Sequence, residues 1–327
     1  MQFAQKRRDF ITLLGGAAAR PLAARAQQPP VIGFLNGQSA AAFTHLLAAL
    51  REGLKQTGFV EGENVRIEYR WAEGQVDRLP ALADDLVRRQ VALIVATGGA
   101  SIAAKAATST IPVVITLAGD PVKSGFAASL NRPGGNVTGM TVFTSALEAK
   151  RLELLHELVP AANPIGVLLN PQFTTDFEGQ LREVTAAARA IGIRIHAVNA
   201  NSESDLEAAF ATLAQARAGA VAITGGTFNL KNRAKIVELA ARHAIPAIYE
   251  NRESVAAGGL MSYGTNVPEV YRQIGIYAGR ILNGDRPGDL PFVQPAKFDM
   301  AVNLKTAKTL GLTMPTSLLL RADEVIE

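Results

Sequence analysis

The sequence predicts an α/β fold made of two doubly wound parallel-sheet lobes. Short apolar runs rich in β-branched residues alternate with longer amphipathic segments along the chain, a pattern that joins parallel strands through helical crossovers. The run VALIVA at 91–96 is continuously apolar, which suits a strand covered on both faces. The second run of each half, VRIEYR at 65–70 and IRIHAV at 193–198, alternates apolar and polar residues instead. Because both halves share this plan, we expect two similar lobes of about 120 to 150 residues, a usual domain size.

Each predicted element follows from its own pattern. Apolar runs predict five strands in the first half, at 31–35, 65–70, 91–96, 112–118 and 136–142. They predict five more in the second half, at 164–170, 193–198, 220–224, 246–250 and 259–263. Amphipathic segments predict the intervening helices, among them 40–57, 79–89, 147–158, 205–216, 230–243 and 267–282. Three prolines and two glycines exclude regular structure at 283–295, and a strand and a helix follow within 298–312.

The first 26 residues have the three parts of an export signal. A charged start, KRRDF, precedes the mildly apolar run FITLLGGAAA and the small-residue ending ARA. The segment RRDFI at 7–11 resembles a twin-arginine (Tat) motif. We expect cleavage after Ala26 and a mature chain in the periplasm. The alternative is an uncleaved amphipathic helix, which Pro21 disfavours.

The basic charge of the chain belongs to this leader. A net charge of +4 first suggests an acidic partner, but the leader holds five of the 33 Lys and Arg and one of the 29 Asp and Glu. The rest of the chain is formally neutral, so we expect no nucleic-acid partner. There is no cysteine for a disulfide or a lipid anchor, and no later apolar run of about 20 residues. These features predict a free, monomeric protein of the periplasm.

Motifs for cofactors and catalysis are missing from the sequence. The pair Lys123–Ser124 follows Val122, where a phosphate-binding P-loop requires glycine, and no G-x-G-x-x-G fingerprint occurs. There is no cysteine nucleophile and no G-x-S-x-G elbow, and the four histidines never form an i, i+4 pair. We therefore expect no cofactor, no metal site and no enzymatic activity.

Polar and glycine-rich residues recur just past the predicted strand ends. In open α/β sheets this edge binds ligands, and helix N-termini there offer N–H groups to anions. The candidate ligand-binding residues are Asn36, Thr97, Gly98, Asp120, Pro121, Asn170, Thr224, Tyr249, Glu250 and Tyr263. Each also suits an ordinary turn or helix cap, and the tyrosines also suit core packing.

Asp120 has two interpretations that are compatible with each other. With Pro121 after it, the aspartate suits the cap of a short helix predicted at 123–130, whose N-terminus would point at the ligand. The same carboxylate suits a charge-assisted bond to a ligand ammonium group in a closed cleft.

Six ordered blocks of sequence resemble a family of ABC-transporter substrate-binding proteins that includes tryptophan-binding members. The blocks are GDPV at 119–122, RPGGNVTG at 132–139, KRLELLHELVP at 150–160, YGTN at 263–266, ILNGDRPGDLPFVQP at 281–295 and the segment 303–327. The resemblance implies a periplasmic-binding-protein type I fold, with two lobes that close like a hinge on one small molecule. It places three chain crossovers near 138–144, 262–265 and 287–295. The expected first lobe is 27–140 plus 264–290, and the expected second lobe is 141–263 plus 291–327.

The resemblance also implies a function. The expected protein is the solute receptor of an ABC importer, which passes an amino acid or a related small organic molecule to a permease in the inner membrane. An amino acid would need a carboxylate such as Asp120 or Glu250 at its ammonium group, and donors such as Thr97 and Thr224 at its carboxylate. Two alternatives remain: a periplasmic α/β enzyme, for which no nucleophile and base are visible, and a ligand-sensing regulator, which needs a DNA-reading helix-turn-helix.

Overall fold

A computed structural model of the chain describes residues 29–142, 144–171 and 177–327. The export signal predicted at 1–26 lies outside these described residues. Within them, no helix combines the length and the apolar character that crossing a membrane requires.

The first sheet has five parallel strands in the order β2-β1-β3-β4-β5. They are β1 Val31–Asn36, β2 Arg66–Trp71, β3 Leu93–Thr97, β4 Val113–Ala118 and β5 Val137–Val142. The helices between them are α1 Thr44–Gln56, α2 Leu79–Arg88 and α3 Ala100–Ala107, with short 3-10 helices at Ala40–Phe43 and Val76–Arg78. Separate apolar clusters cover the two faces of this sheet, so central strands such as β1 and β3 are buried on both sides, whereas the edge strand β2, whose run alternates, is partly exposed.

The second sheet has seven strands in the order β12-β11-β10-β9-β8-β6-β7. They are β6 Ile165–Leu169, β7 Ile195–Asn199, β8 Ala220–Ile223, β9 Ala247–Tyr249, β10 Met261–Thr265, β11 Phe298–Asn303 and β12 Glu324–Ile326. Only β10 and β11 pair antiparallel among the described strands, because the chain reaches β11 after returning from the first lobe. The helices in this stretch of sequence are α4 Thr144–Leu158, α5 Phe177–Ala190, α6 Glu203–Gln215, α7 Thr227–Lys231, α8 Arg233–Arg242, α9 Arg252–Ala256, α10 Val267–Leu282, α11 Leu304–Thr309 and α12 Thr316–Leu319, and all but α10 pack in the second lobe.

This architecture confirms the predicted fold class of two α/β lobes. Helix α10 has the predicted bounds, whereas the helix predicted at 230–243 is divided into α7 and α8 at Asn232. The last strand, β12, was not predicted, and the irregular segment before β11 contains a 3-10 helix at Pro287–Asp289.

Helix α10 follows the second-lobe strand β10 in sequence but packs in the first lobe. Its apolar face joins α1 in one cluster of buried side chains, with Tyr271 and Ile274 among its members. The two helices approach closely at glycines: a Cβ on Gly53 would overlap the carbonyl oxygen of Arg272, and one on Gly275 would overlap that of Leu50. The first lobe is therefore completed by a distant part of the sequence.

The chain segment that follows α10 runs beside β5. The backbone N–H of Thr141 donates to the carbonyl of Val293 at 2.9 Å, and the N–H of Val293 donates to Gly139 at 3.1 Å. Two of the connections between the lobes are thus joined by backbone hydrogen bonds. The positions predicted for the crossovers and the lobe boundaries stay predictions.

Candidate functional site

Two short connections link the carboxyl edges of the two sheets. Strand β5 ends at Val142 and α4, the first helix of the second lobe, begins at Thr144. Strand β10 ends at Thr265 and α10 begins at Val267. Each connection leaves the carboxyl end of a strand in one lobe and enters the N-terminus of a helix of the other lobe within two residues. The two connections therefore hold the carboxyl edges of the two sheets close to each other. Ligands bind at such edges in α/β proteins.

On the first-lobe edge, Asn36 and Thr97 form a buried pair. They are the last residues of the neighbouring strands β1 and β3 and stand in register. Asn36 Nδ2 donates to Thr97 Oγ1 at 2.6 Å, and Asn36 Oδ1 accepts from the backbone N–H of Gln38 at 2.6 Å. These bonds fix the shape of the edge.

The backbone at Gly98 is open. Its N–H donates to Thr116 Oγ1 at 3.0 Å, and its φ of +60° lies in the left-handed region that favours glycine. No described atom lies within 4 Å of where a Cβ on Gly98 or Gly99 would stand. Helix α3 begins at the next residue, so exposed backbone at a helix N-terminus is available to an anionic ligand group.

Asp120 caps a turn and not a helix. Its Oδ1 accepts from the backbone N–H of Val122 at 2.8 Å and of Lys123 at 3.4 Å. The helix predicted at 123–130 is wrong: residues 121–125 form hydrogen-bonded turns, with Phe126 N–H donating to Pro121 at 2.7 Å. The physical reason is Gly125, whose φ of +70° ends the helical conformation after one turn. Asp120 is partly exposed, and Pro121 is buried beside it.

On the second-lobe edge, Asn170 and Thr224 are buried and already bonded. Asn170 Nδ2 donates to the carbonyl of Ala200 at 2.9 Å, and Thr224 Oγ1 donates to that of Leu168 at 2.8 Å. A threonine hydroxyl has one proton. Thr224 would have to break its bond to Leu168 before it could donate to a ligand carboxylate.

The two candidate tyrosines have largely structural surroundings. Tyr249 is buried in the core cluster between β8, α6 and α8, and this burial raises the pKa of its hydroxyl. Tyr263 is half-buried and its ring stacks on Phe298, with 5.9 Å between the centroids. Of the two tyrosines, Tyr249 therefore packs in the core, as one of its two interpretations predicts.

Glu250 follows β9 and is only partly buried. Its carboxylate lies over Gly225: a Cβ on that glycine would stand 2.5 to 2.7 Å from the carboxyl carbon and both oxygens. The glycine thus makes room for the charge. A cavity of about 10 Å³ is lined by Glu250, Thr224 and Asn229, and is the size of one water molecule. The Asn229 Oδ1 atom in this region is buried without a partner among the described residues.

Two charged residues on α4 belong to this edge and were missed from the sequence. Glu148 is 4% exposed and Arg151 is 1% exposed. Arg151 Nη1 donates to the carbonyl of Tyr263 at 3.1 Å, and Glu148 Oε1 accepts from Gln180 Nε2 at 2.8 Å. The available signal was helical spacing, because Glu148 and Arg151 share the helix face of the buried Leu155 and Leu158. Charges at core positions of an amphipathic helix mark a polar site.

Burial raises the pKa of Glu148. The negative charges of Glu250 and Glu183 add to this effect, while Arg151 and the hydrogen bond from Gln180 oppose it. The backbone of Glu250 lies against Gly264, the residue after Tyr263, whose carbonyl accepts from Arg151, so Glu250 and α4 contact the same end of β10. Within the described part of the chain, no three His, Cys, Asp or Glu residues are placed to hold a metal ion.

The fold and this pair of polar edges define a two-lobed binding protein of the periplasmic-binding-protein type I fold. More narrowly, the chain belongs to the ABC transporter substrate-binding protein family, whose model matches residues 2–326. Proteins of this kind bind their substrates and are not enzymes.

Several known proteins are similar to this chain. A tyrosine-binding protein of Clostridioides difficile strain R20291 is 26% identical over 262 residues, which cover 80% of this chain and 75% of that protein. The structure of an ABC domain from Streptococcus pneumonia in complex with L-Trp is 23% identical, with a TM-score of 0.82 and coverage of 91% of this chain and all of that one. A ligand-free, open substrate-binding protein from Clostridium difficile is 25% identical, with a TM-score of 0.72 and coverage of 91% and 99%.

Proposed function

We propose that this chain is the solute receptor of an ABC importer and that it delivers an amino acid to a permease in the inner membrane. The observation that carries the proposal is the match of nearly the whole chain to the substrate-binding family. The two polar carboxyl edges, tied together by two short connections, supply the place for the ligand. The family is typically extracytoplasmic, which agrees with a Tat-type signal cleaved after Ala26 and a periplasmic location.

The proposed ligand class is an aromatic amino acid. One of the similar proteins is a tyrosine-binding protein, and another is an ABC domain in complex with L-Trp. An amino acid presents an ammonium group and a carboxylate, so its site needs an anionic side and a donor side. Glu250 and Asp120 are candidates for the anionic side. The open backbone at Gly99, before α3, is the better candidate for the donor side, because the Thr224 hydroxyl and the Gly98 N–H are already bonded.

Ligand binding would favour closure of the lobes. A ligand that contacts both edges stabilises the closed form by its extra contacts there, and the permease then recognises the closed shape. This mechanism needs no covalent step. It does require that the ligand leave unchanged, which separates a receptor from an enzyme.

A thermal-shift screen of the full chain against the twenty amino acids tests the proposal. A ligand present at about 100 times its Kd stabilises the native state by about 2.7 kcal/mol, so a true ligand raises Tm by several degrees. We expect L-tryptophan or L-tyrosine to do so, with one ligand bound per chain in calorimetry. Mass spectrometry of the recovered ligand is the control for turnover. A screen without any hit, or a chemically altered ligand, contradicts the proposal.

A further inference from the structure

Glu148 has one carboxylate oxygen that the described residues leave without a hydrogen-bond partner. Oε1 accepts from Gln180, but Oε2 is buried with no hydrogen-bond partner among the described residues. A buried, unpaired carboxylate oxygen is costly, so a native protein that retains one has a reason to do so.

Arg151 does not satisfy this oxygen. The guanidinium attracts Glu148 at a distance, but its Nη1 is bonded to the carbonyl of Tyr263 and no hydrogen bond joins the two side chains. The charges that act on Glu148 are those of Arg151 on its own helix, Glu183 on α5 and Glu250 after β9. Two of these three charges are negative, so only Arg151 offsets the negative charge of Glu148.

The cluster is at the carboxyl edge of the second sheet. Glu148 is in the first turns of α4, which enters that edge directly from β5, and Gln180 is in the first turn of α5. Glu250 follows β9 on the same edge and is partly exposed. A ligand cation that binds at Glu250 would approach α4 and Glu148 from this edge.

We propose that Glu148 Oε2 contacts the ligand, and that Glu148 and Glu250 together form the subsite for its ammonium group. The inference rests on the proposed function, in which the ligand is an amino acid. An ammonium group has three N–H donors and no acceptor, so it can bond both carboxylates at once. Arg151 then acts as a positioning residue, since its bond to Tyr263 holds α4 against β10.

The proposal predicts that the ligand-free protein is at least as stable without the negative charge of Glu148. In Glu148→Gln the side chain keeps its shape and can still accept from Gln180, while the unpaired charge disappears. We expect the empty variant to have a Tm equal to or above that of the wild type. The same change should weaken binding of an amino acid, a combination that a purely structural role does not produce.

The experiment compares amino acids with analogues that lack the amino group. The probes are L-tryptophan and L-tyrosine against indole-3-propionate and 3-(4-hydroxyphenyl)propionate, by calorimetry at pH 7. We expect Glu148→Gln to weaken the amino acid about 10- to 100-fold, as for loss of a charged hydrogen bond, and to change the analogue less than threefold. The matched control is Glu153→Gln, an exposed carboxylate on the same helix that pairs with Lys150.

A double variant adds a second readout. If one ammonium group bonds both carboxylates, Glu148→Gln and Glu250→Gln together should lose less affinity than the product of their separate losses. If the affinity loss of the double variant equals the product of the two separate losses, Glu148 and Glu250 do not bond the same ammonium group.

The remaining outcomes are distinguishable. If the wild type binds L-tryptophan or L-tyrosine and Glu148→Gln binds it within twofold, the inference is wrong and the proposed function stands. If the variant weakens amino acid and analogue equally, Glu148 has a structural role only. If the wild type binds neither amino acid, both the proposal of an aromatic amino acid ligand and the proposed ammonium subsite are wrong.

Discussion

The hydroxyl of Thr138 donates a 2.7 Å hydrogen bond to the backbone carbonyl of Leu290, 152 residues further along the chain. Thr138 is fully buried in β5, which leads from the first lobe, and Leu290 is in the segment that leads back to the second. Together with the backbone bonds around Val293, this contact makes two of the connecting segments one unit. Substitution at Thr138 is the most direct test of how much that unit contributes.

We expect Thr138→Val to lower the free energy of unfolding by about 1 to 3 kcal/mol. Valine has the same shape, but it leaves the buried carbonyl of Leu290 without its side-chain donor. Urea titration at pH 7 measures the change. The control is Thr309→Val, which removes an exposed hydroxyl on α11 and should cost less than about 0.5 kcal/mol. An equal effect of the two substitutions would contradict the importance of the Thr138 bond.

Adding a methyl group where α1 and α10 cross should destabilise the protein. A Cβ on Gly275 would overlap the carbonyl of Leu50, so the helices must separate in Gly275→Ala. We expect a loss of about 3 kcal/mol in urea titration, at the upper end of the cost of overpacking. Gly135→Ala is the control, because a Cβ there has no neighbour within 4 Å. A neutral Gly275→Ala would show that the helices can slide apart freely.

Acid should weaken the start of α10. Arg272 holds the pKa of Glu269 at about 2, below its usual value of 4.5. The carboxylate therefore stabilises the fold above about pH 4.5, and this contribution is lost as pH falls toward 2. We expect Glu269→Gln to lower Tm at pH 7 and to have no effect near pH 2. Melting curves from pH 2 to 7 measure this, and a difference that stays constant with pH contradicts it.

Asp120 and Glu250 should differ in their effect on binding. The Oδ1 of Asp120 already accepts two backbone N–H bonds, and asparagine can keep both, so Asp120→Asn should retain the turn. We expect it to change affinity for L-tryptophan or L-tyrosine less than about threefold, and Glu250→Gln to weaken it at least tenfold. Calorimetry decides between them. The reverse order would assign the ammonium group to Asp120.

Much of the fold was predictable because the central strands of both sheets are buried on both faces. A short, continuously apolar run such as that of β3 is typical of a strand between two layers of helices, and the apolar spacing of α10 indicates its bounds directly. The turn after Asp120 was not predictable in this way. The pattern of cap, proline and small residues suits a helix start, and only the left-handed conformation of Gly125 ends it.

The candidate site was only partly predictable. The strand-end rule identifies the edge and its residues, but it does not distinguish a free group from one already bonded, as at Thr224. The same rule does not reach Glu148 and Arg151, because they are in a helix and not after a strand. Helical spacing places them on the apolar face of α4, but their position at the carboxyl edge comes from the tertiary packing of α4 on the second sheet.

The packing of α10 on α1 also determines the order in which the protein can assemble during synthesis. Helix α1 has its glycine-lined partner only after residue 282 has left the ribosome, by which time β6 to β10 have all been made. The first lobe, although it is synthesised first, therefore cannot complete its folding until α10 has been synthesised. A nascent chain stopped before residue 267 would expose the apolar face of α1, and it is at this stage that a chaperone would find a binding surface.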